Sequence, residues 1–481
     1  QHHLGPYPCR LTMYLPTFLV SSLAVKNTAD RLELTGRPMI FSDLRHKVAD
    51  LRHVWGQVPL QPAPSTTTNP TAWTEYALDG LDQWYNCTTG IWETAGWWNS
   101  ANVMTMLGNL AKADPYNEHV QIVARRTFAN AIRNAPIKNP VPNVERPNVT
   151  SPTSTSRSGT PFSKYIDPRT YLPHSNYPID WFRHIDSATN TIGLLTGDSK
   201  YDEGSMLKDF KPDPYDWLDG FYDDDLWWAL AWINAYDVTS RSVYLTLAKD
   251  IFDIVAKGWG TNCSSGGIYW NDSKQYVNAI ANELFFSTAA HLANRAQDTE
   301  YYTDWAKKSL DWFVASGMIN ENNTVNDGLD AATCKNNNGT VWSYNQGVIL
   351  GGLVELNHAS PNSTLLPLAS TIAGAALKKL SDEDSIIKDV CDDGGTCGAD
   401  GTQFKGIYMR NLGELWAATG NTTFGDAIKT NAKSIWRNDK EVQEDGVVFG
   451  NRWAGPFEGP ANASMQGSAM DALVANLVVS I

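Results

Sequence analysis

Histidine is scarce and scattered: nine occur in 481 residues, and the five from position 70 onward (His119, His174, His184, His291, His358) form no motif. Cysteine is equally thin at six, with no pair spaced as zinc ligands are, so neither a metal nor another cofactor is expected. Positive charge is in deficit, 38 Lys and Arg against 52 Asp and Glu, for a net charge of −14. Nucleic acid and anionic membranes both demand a basic face, so neither is expected as a partner. No apolar run is long enough to span a bilayer. Met13–Val20, behind Arg10 and ahead of Ser22-Leu23-Ala24, reads as a signal-like segment displaced from the chain start. Met465–Ile481 reads as an ordinary amphipathic helix with no polar spacer and separate hydrophobic tail after it, so a GPI anchor is not expected. No fixed repeat period runs through the chain, which argues against an extended solenoid.

Tryptophan, by contrast, is abundant: 19 residues, with aromatics at 11%. Indole rings suit a large core, and they also stack on the apolar faces of pyranose rings. With the negative charge, a neutral polysaccharide is a better expected partner than an acidic one. Nine Asn-x-Ser/Thr sequons occur, at Asn86, Asn148, Asn262, Asn271, Asn322, Asn338, Asn362, Asn421 and Asn462. Together with the cysteines they point to a secreted or cell-wall-associated glycoprotein. Cys391 and Cys397 bracket a tight turn and are expected to form a disulfide, while Cys9, Cys87, Cys263 and Cys334 have no obvious pairing.

Residues 1–69 read as an N-terminal extension, with Pro- and Thr-rich residues 55–72 as the linker into a folded domain at 70–481. Helical periodicity dominates from there. Val120, Val123, Ala124, Phe128 and Ala131 share one face, as do Tyr244, Ala248, Ile251, Phe252 and Val255. Further helical stretches lie near 99–111, 279–294, 301–316, 345–358, 364–380, 404–418, 423–436 and 466–480, several ending at Gly258, Gly317 or Gly420. Strand signals are short: Gly267-Ile268-Tyr269-Trp270 and Val447-Val448-Phe449. About a dozen helices in consecutive pairs predict an all-α toroid of helical hairpins around one core, with its cleft at one end. An insertion at about 135–215 interrupts the pattern, and its Pro-, Ser- and Thr-rich part, 135–175, reads as a surface loop or disordered insert.

One stretch carries the chemistry: Phe221-Tyr222-Asp223-Asp224-Asp225-Leu226-Trp227-Trp228, running into Ala229-Leu230-Ala231-Trp232-Ile233. Acidic residues favour a helix start, but capping does not call for the paired tryptophans. Neighbouring carboxylates against aromatic rings suit glycoside chemistry, in which one acid stays protonated and its partner stays ionised. Consecutive residues hold their oxygens at a retaining separation more readily than at the wider inverting one.

Tyr222-Asp223-Asp224-x-x-Trp227-Trp228-Ala229-Leu230-Ala231-Trp232-Ile233 resembles the signature of glycoside hydrolase family 76, the endo-α-1,6-mannanases. Gly96-Trp97-Trp98-Asn99-Ser100-Ala101-Asn102, Gly266-Gly267-Ile268-Tyr269-Trp270, Ala281-Asn282-Glu283-Leu284, Asn326-Asp327-Gly328-Leu329, Trp342-Ser343-Tyr344-Asn345-Gln346-Gly347, Phe404-Lys405-Gly406-Ile407 and Gln466-Gly467-Ser468-Ala469-Met470 agree in order. The resemblance spans about residues 70–480. It implies an (α/α)6 barrel and a secreted mannan endo-1,6-α-mannosidase that acts as a monomer on α-1,6-mannan or manno-oligosaccharides. Its register implies Asp223 as nucleophile and Asp224 as general acid/base, with Asp225 where the family commonly has Asn or another polar residue. Asp225 either raises the pKa of the acid or points to solvent. Asp327 is either a substrate-orienting carboxylate or a turn residue, since Asp-Gly is a common turn pair. Trp97, Trp98, Asn99, Trp228, Asn282, Tyr344 and Asn345 are candidate substrate contacts, with core packing the alternative for each. A cell-wall transglycosylase acting on GPI-linked mannan and a non-catalytic mannan-binding protein are the rival functions.

Overall fold

A computed structural model describes residues 67–144, 203–443 and 446–480, together with the backbone of four short strands between residues 164 and 193. Among the described residues twelve helices of three turns or more run α1 (Pro70–Asp82), α2 (Trp97–Ala113), α3 (Glu118–Asn134), α4 (Tyr222–Thr239), α5 (Ser242–Val255), α6 (Ala279–Ala293), α7 (Thr299–Ser316), α8 (Ser343–Ala359), α9 (Leu365–Leu380), α10 (Phe404–Thr419), α11 (Thr422–Asn438) and α12 (Ala463–Ser480). Local chemistry sets many of their ends. Asn69, Asn117, Asn278 and Asn421 each turn a side-chain oxygen onto a backbone N–H of the first turn. Left-handed residues stop α4 at Ser240 (φ 56°), α7 at Gly317 (φ 78°) and α10 at Gly420 (φ 64°).

The even-numbered helices form a closed inner ring, α2–α4–α6–α8–α10–α12, with α12 returning to pack on α2. The odd-numbered helices pack outside them, α3 on α2, α5 on α4, and so on to α1 on α12. Inner helices are buried on nearly every side, whereas outer helices bury one face and wet the other. This is the all-α toroid of hairpins that the sequence predicts. Close packing inside the ring depends on small residues. A Cβ on Gly347 of α8 would lie 2.6 Å from the Cα of Tyr408 in α10, and one on Gly406 of α10 would lie 2.5 Å from the Cα of Ser468 in α12.

The N-terminal ends of the inner helices gather at one end of the barrel, where Trp227, Trp98, Phe404 and Tyr344 touch in that order. At the opposite end the Arg295 guanidinium bridges Asp237 of α4 and Glu355 of α8 at 2.8 and 2.9 Å. No helix among the described residues is long and apolar enough to cross a membrane.

Several expectations need correction. Asn69 and Pro70 start a helix, so the linker over 55–72 ends earlier than its composition suggests, because Pro at the first helical position is favourable. Residues 466–480 belong to an inner helix buried on all sides, where an amphipathic one was expected. Gly267–Trp270 is not a strand; a single bridge, Phe221 to Asn271, follows it, and Val447–Phe449 does form one, Gly446–Phe449, antiparallel to Lys440–Gln443. The extension 1–66 and most of the insert over 135–215 lie outside the described residues. The two ends of that insert are tied together, since the Asn139 side chain donates to the carbonyls of Asp216 and Leu218 at 3.0 and 2.7 Å.

The expected Cys391–Cys397 disulfide is present, and a second joins Cys263 to Cys334. Cys87 is disulfide-bonded as well. Loop entropy gives about 4 kcal/mol for a closure of 71 residues and about 2 kcal/mol for one of 6. A Cys263→Ser/Cys334→Ser variant should therefore lose more denaturation free energy than Cys391→Ser/Cys397→Ser, and the reverse order by urea titration would refute the ranking.

Candidate active site

The start of α4 is assembled before the helix begins. Gly220 takes φ +89°, Phe221 is the N-cap, and the Tyr222 N–H donates to the Trp270 carbonyl at 3.0 Å. Successive helical residues point about 100° apart, so the three aspartates of the first turn diverge. Asp225 points inward, fully buried, and accepts the Asp219 N–H at 3.1 Å. It neither faces solvent nor lines the cleft. Asp223 accepts the Trp270 indole N–H at 3.1 Å. Asp224 opens onto a cavity of about 360 Å³ lined also by Trp92, Trp97, Trp98, Asn99, Lys138 and Asp400.

The electrostatics separate the two cleft carboxylates. Burial pushes Asp223 up to about 7, with the charge of Asp219 adding to the rise, while backbone N–H groups and the Trp270 indole favour its ionised form. Asp224 is raised well above the ordinary carboxylate range, first by burial, then by the charges of Asp223 and Asp219 and by the hydrogen bond it donates to Asp219. Both carboxyls therefore hold their protons to higher pH than an ordinary aspartate, and Asp223 has in the Trp270 indole a donor that favours its anion.

Aromatic rings wall the site. Trp98 lies parallel to Trp227 at 5.9 Å and donates its indole N–H to Asp400 at 2.9 Å. Tyr344 stacks on Phe404 at 3.8 Å. Burial, and after it the charges of Asp327, Asp223, Glu283 and Asp400, push the Tyr344 hydroxyl well above the ordinary phenol range, which places that ring among the carboxylates. Asp327 accepts the Tyr276 hydroxyl at 2.5 Å, and Trp270 packs edge-on against Tyr276. An aromatic and hydrogen-bonded chain thus links Asp223, Trp270, Tyr276 and Asp327.

The structure brings Asp223, Asp224, Trp97, Trp98, Asn99, Asp327 and Tyr344 to one end of the barrel. Three other candidates sit in the core. Trp228 is fully buried against Trp97, Trp217 and Trp232. Asn282, 3% exposed, clamps both the N–H and the carbonyl of Ile268. Asn345 is fully buried in the first turn of α8. Each comes from a helix enclosed on all sides, so a side chain near the cleft in sequence still points into the ring. Five cleft residues were not singled out from sequence: Asp219, Trp270, Tyr276, Lys138 and Asp400. Trp270 closes a quoted motif and Asp219 precedes the acidic run, but Lys138 and Asp400 arrive from distant loops without any local signal. One grouping among the described residues has metal-like geometry, Cys391, Asp392 and Cys397. Its sulfurs form a disulfide and Asp392 pairs with Lys405 at 2.6 Å, so it offers no donor set.

An all-helical double ring with neighbouring aspartates among aromatic rings at one end is compatible with a glycoside hydrolase. The chain belongs to glycosyl hydrolase family 76, whose model matches residues 181–480. Among curated relatives, the mannan endo-1,6-alpha-mannosidase DFG5 of Saccharomyces cerevisiae is 29% identical over 221 residues, 44% of this chain and 48% of the relative. DCW1 of Candida albicans, also a mannan endo-1,6-alpha-mannosidase, is 31% identical over 212 residues, 40% of this chain and 46% of that protein. The matched part therefore spans about half the length of these relatives. Among solved structures, an inactive α-1,6-mannanase variant of Salegentibacter with two consecutive aspartates replaced, in complex with α-1,6-mannotriose, superposes with a TM-score of 0.62 at 17% identity, covering 85% of this chain and all of the other. Dfg5 of Chaetomium thermophilum, in complex with glucosamine, gives a TM-score of 0.61 at 17% identity over 87% and 93% of the two chains. At these identities the superpositions establish the fold.

The raised Asp224 pKa has a consequence for stability. A carboxyl whose folded pKa lies above its unfolded value stabilises fully below the unfolded pKa of about 4, and that contribution is lost as pH rises through the folded value. Asp224→Asn keeps the neutral shape. Its melting temperature should exceed that of the wild type at pH 8 and converge on it toward pH 4; a constant difference across that range would contradict the assignment.

Proposed function

We propose that this protein is a retaining glycosidase that cleaves internal α-1,6-mannosidic linkages of mannan, with Asp223 as nucleophile and Asp224 as general acid/base. The observation that carries the reading is the placement of two consecutive carboxylates at one end of the barrel, Asp223 against an indole N–H and Asp224 on the cavity. Asp223 is supported as an anion by the Trp270 indole N–H. Asp224 keeps its proton and faces the cavity. In the first step the Asp223 carboxylate attacks the anomeric carbon, the bond to the leaving oxygen breaks, and Asp224 gives that oxygen its proton. In the second, water attacks the mannosyl ester, Asp224 takes the proton from the water, and Asp223 leaves as carboxylate. Two inversions give net retention. In this reading Trp98 and the Tyr344–Phe404 stack would take the apolar faces of pyranose rings, and Asp327, which accepts the Tyr276 hydroxyl, would orient sugar hydroxyls. The inactive Salegentibacter variant, lacking two consecutive aspartates and complexed with α-1,6-mannotriose, supports the same pairing. The disulfides and sequons support secretion or residence at a cell wall as the setting.

Digestion of unbranched α-1,6-mannan tests the reading. Release of short manno-oligosaccharides is expected, whereas products longer than the substrate would mark a transglycosylase and no products a binding protein. Asp223→Ala should remove turnover. Asp224→Ala should fall about 10²–10⁴-fold on mannan while retaining activity on aryl glycosides whose leaving groups need no proton. Asp225→Asn should be mild, because an amide oxygen still accepts the Asp219 N–H. The acidic limb of kcat/KM should lie near pH 7, where Asp223 ionises. A loss in Asp225→Asn as deep as in Asp223→Ala would place the nucleophile at the wrong residue.

A further inference from the structure

A retaining cleavage divides the substrate between two carboxylates. The nucleophile must face the anomeric carbon of one sugar, and the acid must reach the oxygen that bonds it to the next. The cavity of about 360 Å³ falls on the acid's side of that division, since Asp224 lines it and Asp223 does not. Trp270, Tyr276 and Asp327, the chain of contacts that leads away from Asp223, do not line it either. Its volume lies at the small end of the range that holds organic ligands. Asn99, in the first turn of α2, lines the cavity and is only 1% exposed. Neither its Oδ1 nor its Nδ2 has a hydrogen-bond partner among the described residues. An amide buried without partners is costly, and it offers two donors and an acceptor to a group that enters. Two side chains from outside the inner ring also line the cavity: Lys138, paired with Glu93 at 3.8 Å, and Asp400, which accepts the Trp98 indole N–H at 2.9 Å. Trp98 is also stacked on Trp227 at 5.9 Å, so ring packing and a hydrogen bond together fix its plane.

We propose that this cavity is the subsite for the leaving-group sugar of mannan, with Asn99 binding its hydroxyls and Asp400 positioning Trp98 against it. The proposal rests on the reading of Asp224 as general acid/base. A neutral sugar fits the lining. Lys138 is paired with Glu93, and Asp224 and Asp400 add further carboxyls, which disfavours an anionic group. The unpartnered Asn99 amide suits hydroxyls, which both donate and accept. Replacing Asp400 by Ala removes the acceptor of the Trp98 indole N–H, whereas Asn at that position keeps an oxygen for it. A substrate whose leaving group is not a sugar makes none of the hydroxyl contacts.

The test compares kcat/KM on α-1,6-mannotetraose, whose leaving group is a sugar, with that on an aryl α-1,6-mannobioside, whose leaving group is a phenol. Asp400→Ala and Asn99→Ala should each lose about 10-fold or more on mannotetraose, as loss of one desolvated hydrogen bond implies, and far less on the aryl substrate. Asp400→Asn should recover most of the mannotetraose rate. Asp400 is exposed, so its replacement leaves the core untouched. Undiminished mannotetraose cleavage in either Ala variant would overturn the role given to that residue. Equal losses on the two substrates in Asp400→Ala would overturn the subsite, and no recovery in Asp400→Asn would overturn the positioning of Trp98 by Asp400. Asp224→Ala separates this from failure of the underlying reading: if it loses the aryl substrate as completely as mannotetraose, Asp224 is not the acid, whatever the Asp400 and Asn99 variants do.

Discussion

Placing carboxylates side by side out of water is the constraint on which this structure turns. Each charge raises the cost of ionising the next, and the protein spaces them by geometry. The helical turn sends Asp225 inward to accept a backbone N–H, Asp224 toward the cavity, and Asp223 toward the Trp270 indole. Burial of the turn holds Asp223 and Asp224 above the ordinary carboxylate range. A solvated version of the same triplet would titrate as three ordinary acids and lose the division of roles.

The double ring makes that arrangement rigid. Inner helices packed on every side fix the start of α4 against those of α2, α8 and α10, so the aromatic wall comes from four separate segments. Glycines at ring contacts let those helices approach closely, and the Arg295 bridge ties α4 to α8 at the far end. Loops contribute what the helices cannot reach: Trp270 beside Asp223, and Lys138 and Asp400 in the lining of the cavity that Asp224 faces.

Much of this was legible in the sequence. Outer helices such as α5 and α11 declare themselves by an apolar stripe, and Gly317 and Gly420 mark stops that the backbone confirms. Inner helices lose that periodicity because nearly every face is buried, so the sequence of 466–480 does not distinguish a fully buried helix from an amphipathic one. The Asp223–Asp224 register is a local pattern and was visible as such. The partner of Asp223 was not, because Trp270 lies 47 residues away and meets it through the fold. The Cys263–Cys334 pairing spans 71 residues and has no sequence-level signature. Trp228, Asn282 and Asn345 illustrate the converse: proximity to a motif says nothing about which way a side chain faces on a helix enclosed on all sides.

The central claim is a covalent mannosyl–Asp223 intermediate formed by a carboxylate poised beside a protonated neighbour. Proton NMR of the first-formed product from α-1,6-mannan, recorded before mutarotation, tests it most directly. The account predicts that the α-anomer appears first and the β-anomer only later by equilibration. An initial β-anomer would contradict both the retaining mechanism and the roles given to Asp223 and Asp224.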